Sequence, residues 1–153
     1  MENPVFKSNP NFKNSLMLVA NSVNYQMKTG SAVLSALNSE SNITITAQNR
    51  RFWVTDFVPV IYNSDGTIPD GKNFPTDDIL IEVKVGEMQM TDRPIPLSTL
   101  LHKNNDDMFS GKIIEPNNSI TFRIYSKQLG SPTPKCNYPV TIYMTLKGYE
   151  LNT

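Results

Sequence analysis

The sequence predicts an all-β chain: an antiparallel β-sandwich preceded by an extended N-terminal arm. Two observations carry this. Five separate segments alternate apolar and polar residues with a period of two, the mark of strands that pack on a core from one face only. Between them lie turn-forming residues, with eleven Pro in the chain, and no crossover helices of the kind a parallel sheet requires.

Residues 1–15 are polar and broken by Pro4 and Pro10, so they cannot build structure alone. Phe6 and Phe12 are spaced as isolated anchors that could fill pockets on neighbouring subunits, so 1–15 is expected to be an assembly arm, with a frayed terminus of no role as the alternative, and 16–153 the single sandwich domain. Leu16, Val19, Ala20, Val23 and Met27 fall on helical spacing, and a helix ended by Gly30 is expected there, although Leu16 to Ala20 suit a buried strand equally. Residues 32–37 form a short apolar run of either type.

From residue 43 the period is two. Ile43, Ile45 and Ala47 alternate with Thr44 and Thr46. In 51–62, strict alternation puts Phe52, Val54, Val58 and Val60 on one face and Trp53, Phe57 and Ile61 on the other. Ile79, Ile81, Val83 and Val85 alternate with Leu80, Glu82 and Lys84. Ile120, Phe122 and Ile124 form a fourth buried row, and Val140, Ile142, Met144 and Leu146 a fifth. Asn63-Ser64-Asp65-Gly66 opens a polar loop that runs to Asp78, Ser98 is placed to cap one helical turn, and Glu115–Asn118 reads as a turn. Spacings of this length between strands suit Greek-key connections better than a tight meander.

Composition narrows the function classes. Fourteen basic and fourteen acidic residues cancel, so no field draws the chain to nucleic acid or to an anionic membrane. One cysteine, Cys136, excludes an internal disulfide framework and a cysteine metal cluster. The N-terminus lacks the apolar stretch of a secretion signal, and no run reaches the roughly 20 apolar residues of a membrane helix. Synthesis in the cytoplasm is expected.

Each candidate for chemistry has a simpler structural explanation. Cys136 and His102 are the only thiol and imidazole, and Cys136 sits in a proline-rich loop with no helix start to lower its pKa. Asn63, Asp65, Asp70, Asp77 and Asp78 offer oxygens for Ca²⁺, yet lack EF-hand spacing and are also ordinary turn formers. Asp56 falls on a face where alternation predicts burial, and a glycosidase would need a second carboxylate. A bulge near Pro59, or a bond from Asp56 to nearby backbone, explains it better. Trp53, Tyr62, Tyr125, Tyr143 and Tyr149 suit either a sugar-binding platform or ordinary strand packing. The sequons at Asn42 and Asn117 are expected to be chance matches.

The order of pieces over residues 50–150 carries a resemblance. Arg-Phe-Trp-Val-Thr-Asp-Phe (51–57) precedes Ile-Leu-Ile-Glu-Val-Lys-Val-Gly (79–86). After Arg-Pro-Ile-Pro-Leu (93–97) come Ile-Glu-Pro-Asn-Asn-Ser-Ile-Thr-Phe (114–122) and Val-Thr-Ile-Tyr-Met-Thr-Leu-Lys-Gly-Tyr-Glu (140–150). This resembles small β-sandwich virion proteins of bacteriophages, of minor capsid or vertex type. The resemblance implies a jelly-roll-like sandwich and a structural role in the virion through homo-oligomeric assembly. Its partners would be other copies and other capsid proteins, with no nucleic acid and no membrane insertion. It carries no catalytic residue, no metal and no cofactor, so no enzymatic activity is expected. A carbohydrate-binding or adhesin-type module is the alternative.

Overall fold

The computed structural model describes residues 22–69, 78–101, 111–127 and 136–152. The arm, with Phe6 and Phe12, lies outside them. Among the described residues nine strands form: β1 (Ser22–Leu34), β2 (Glu40–Thr46), β3 (Phe52–Tyr62), β4 (Ile79–Val85), β5 (Met88–Gln89), β6 (Ile95–Pro96), β7 (Ile113–Ile114), β8 (Ser119–Ser126) and β9 (Val140–Leu151).

All pairings are antiparallel and nested. β1 pairs β9, β2 pairs β8, β3 pairs β7, and β4 pairs the short β5 and β6. The chain is thus one long hairpin, rolled so that β9 also meets β3 and β8 also meets β4. Two sheets result, ordered β1-β9-β3-β7 and β2-β8-β4-β5, with β6 beside β4. With β5 and β6 counted as one interrupted strand, every connection except the β4–β5 turn crosses between sheets. That strand order is a jelly roll.

The alternating segments account for the core. Ile43, Ile45, Ile79, Ile81, Val83, Ile120, Phe122 and Ile124 point inward from the second sheet, and Val140, Ile142, Met144 and Leu146 from the first. Phe57 and Phe122 stack across the gap with ring centroids 5.5 Å apart. At one end Lys28 lies 5.2 Å from the centre of the Phe52 ring and 3.9 Å from Glu150. There a charged head stays partly solvated while its stem covers the core.

Two sequence expectations are corrected. No helix occupies residues 22–27; the segment from Ser22 is strand, and Leu16–Asn21 lie outside the described residues. The helical spacing of Val23 and Met27 is overridden by a register that matches β1 to β9 residue for residue from Asn24–Glu150 to Leu34–Val140. Thr29, Gly30, Ser31 and Val33 are weak helix formers, so little local preference opposes the sheet. Gly30 therefore ends nothing. It sits mid-strand, where an added Cβ would come within 2.6 Å of Ile43 Cγ2 in the opposite sheet.

The second correction is in β3. Strict alternation breaks at a bulge between Val54 and Asp56 opposite β9. Phe52 and Val54 face the core before it, and Phe57, Pro59 and Ile61 after it, leaving Val58 and Val60 on the outer side. One extra residue reverses the face of everything downstream. Asp56 is exposed, and its Oδ1 accepts a 2.8 Å hydrogen bond from the Phe57 amide. Two smaller differences follow. Val85 is half-buried, and the expected helical turn is a 3-10 helix that starts at Leu97, one residue before Ser98.

Candidate interaction face

The two outer faces of the sandwich differ in chemistry. On the second sheet, Thr44 meets Thr121, Thr46 meets Ser119 at 2.9 Å, and Arg123 pairs Glu40 at 3.0 Å. The Tyr125 hydroxyl donates to Glu82 at 3.2 Å. The Glu40 carboxylate raises Arg123 through a hydrogen bond and its charge, while burial, then Glu82, raises Tyr125. A shallow hollow of about 390 Å³ lies beside Tyr125 and Glu40, and the Glu40 carboxylate at its edge is engaged by Arg123. This is an ordinary solvated face.

The outer face of the first sheet is the unusual one. Its rows run across β1, β9 and β3: Tyr25–Tyr149–Trp53, Met27–Lys147–Asp56, Thr29–Thr145–Val58, Ser31–Tyr143–Val60 and Val33–Thr141–Tyr62. Met27 is 63% exposed, Val33 54%, Tyr25 52%, Tyr143 41% and Tyr62 37%. Tyr25 and Tyr149 meet edge-on at 5.3 Å, Trp53 leans on Tyr149 at 5.8 Å, and Tyr62 meets Tyr143 edge-on at 6.0 Å. Thr29 and Thr145 share a 2.9 Å hydrogen bond in the middle row. The Trp53 indole N–H is buried and meets no acceptor among the described residues. Exposed aromatic and apolar side chains gathered on one face, with polar residues between them, are a common feature of interaction sites.

Four of the five aromatic residues singled out from sequence lie on this face: Trp53, Tyr62, Tyr143 and Tyr149. Tyr125 lies on the opposite outer face. Tyr25 and Val33 lie in or beside the segment whose spacing suggests a helix, and Met27 counts there as a position on that helix, so none of the three points to an outer sheet face. Their signal was inverted. On β1 the outward residues are more apolar than the inward Gln26, Lys28 and Gly30, so hydrophobic alternation points to the wrong side.

Cys136 is buried at 3% exposure within the core, and His102 lies outside the described residues. In the acidic loop, Asp65 Oδ1 accepts from the Thr67 amide at 3.0 Å and the Thr67 hydroxyl at 2.6 Å, which holds its carboxyl below the ordinary value. Asn63 donates to the Thr67 hydroxyl at 3.3 Å and accepts from the Asn137 amide at 2.9 Å, and Asp78 is buried. Asp70 and Asp77 lie outside the described residues. Among the described residues no three His, Cys, Asp or Glu side chains gather as a metal site would need.

Comparison with protein-family models, curated proteins and solved structures finds no match.

Proposed function

We propose that this chain is a structural subunit of a bacteriophage virion, a minor capsid or vertex component that acts by assembling with other copies and with other capsid proteins. The carrying observation is the apolar outer face of β1, β9 and β3 on a sandwich whose other outer face is polar. A face that stays in water gains nothing from Tyr25, Met27, Val33, Tyr62 and Tyr143; a face that is covered does. The jelly roll supports the reading by analogy, since capsid domains use it, and so does the resemblance over residues 50–150. On this reading the protein is made in the host cytoplasm and carried in the particle.

One observation favours a second reading. The same face presents Tyr25, Tyr62 and Tyr143, and aromatic rings with a jelly roll also suit a lectin-type module. Electron microscopy of the purified protein, with a glycan array in parallel, separates the two. Regular multi-subunit particles without glycan binding support assembly. Glycan binding by a monomer supports the lectin.

A further inference from the structure

We propose that the outer face of β1, β9 and β3 seats the same face of a second copy of this chain, around a two-fold axis near Thr145. The proposal rests on the assembly reading and adds the identity of the partner surface.

Charge favours a copy of the same chain as occupant. The protein carries 14 basic and 14 acidic residues, so copies approach without net repulsion, and proteins near zero charge associate most readily. The face is balanced as well. Its charged residues, Asp56 and Lys147, are register partners in one row. A copy turned against it can set unlike charges together, whereas a strongly acidic or basic partner meets no opposing field.

Position and area complete the argument. β9 is the central strand of the three, and Thr145 is the middle of its five outward residues, from Thr141 to Tyr149. In a two-fold face-to-face contact centred on the patch, a central residue lies near its own counterpart. Three strands about 4.8 Å apart and eight residues at about 3.4 Å give a footprint of roughly 400 Å². A stable stand-alone interface needs about 800 Å² on each partner. One such contact is therefore weak and concentration-dependent, and becomes durable only when an assembly repeats it.

The test uses the full chain and two variants, Thr145→Asp and Thr145→Lys, in sedimentation equilibrium at low salt from low micromolar upward. Circular dichroism first establishes that each is folded; Thr29→Asp and Thr29→Lys, in the same row, replace any that is not. The parent should associate reversibly, each variant alone should stay at the 17.2 kDa of one chain, and an equal mixture should associate again. Variants that associate like the parent, or a mixture that stays monomeric, overturn this proposal and leave the assembly reading standing. A parent that is monomeric throughout overturns both.

Discussion

Gly148 of β9 lies directly against the main chain of Trp53 in β3, with no room for a side chain between them. An added Cβ would overlap the Trp53 carbonyl oxygen and stand 3.1 Å from the Phe52 ring. The contact arises where the β3 bulge crowds the neighbouring strand, and Thr55 fixes it by donating a 3.2 Å hydrogen bond to the Lys147 carbonyl. On one side of the bulge Trp53 joins the aromatic row; on the other, Phe57 reaches the core.

Gly148→Ala should accordingly destabilise the fold by about 1–3 kcal/mol, the usual cost of overpacking. At about 2–4 °C per kcal/mol for a chain of this size, the melting temperature should fall visibly. A melt unchanged from the parent would mean that the two strands part without strain, and that the bulge is not pinned here.

The β4 alternation makes a paired prediction. Val83 is fully buried, while the Lys84 side chain is half-exposed and pairs with Glu87 at 3.4 Å. Val83→Asp would bury an unpaired charge and should cost about 4 kcal/mol or more. Lys84→Asp should stay within about 1 kcal/mol of the parent. Urea titrations of both variants check this, and equal midpoints would show the strand register to be wrong.

Tyr138 should make the fold sensitive to alkali. Burial, aided by the neighbouring Cys136 and Asp78, pushes its phenol up to about 12 from an ordinary 10.0. The folded state holds that proton more tightly than the unfolded state does. The resulting stability is complete below the unfolded value and is lost as pH rises through this window. Denaturant titrations stepped across it should show stability falling in the parent and falling less in Tyr138→Phe. Identical slopes would place the alkaline sensitivity elsewhere.

Cys136 should behave as a core residue. With 3% of its surface exposed, the thiol should react with Ellman's reagent slowly in the native protein and rapidly in denaturant. Fast native labelling would put the loop before β9 in a more open arrangement.

The sheets were legible in the sequence wherever one face is apolar and the other polar. Segments 43–46, 79–83, 120–124 and 140–146 lie in strands with the expected inward residues, because alternation and burial agree there. The middle of β3 was not legible. A bulge adds one residue and flips the faces of Val58 and Phe57, and its only local trace was a carboxylate, Asp56, at a position that should have been apolar. β1 failed for the opposite reason. Its outward side carries Tyr25, Met27 and Val33, so neither period announces a strand, and pairing with a partner more than a hundred residues away decides the structure. The candidate face inherits both failures. Its aromatic residues were visible one by one, but a bulge and a long-range pairing bring them together.

The most direct test of the central claim, that this sandwich works through association, is sedimentation velocity on the 153-residue chain over a wide concentration range. The account predicts species at multiples of 17.2 kDa whose share grows with concentration. A single 17.2 kDa species at every concentration would contradict it.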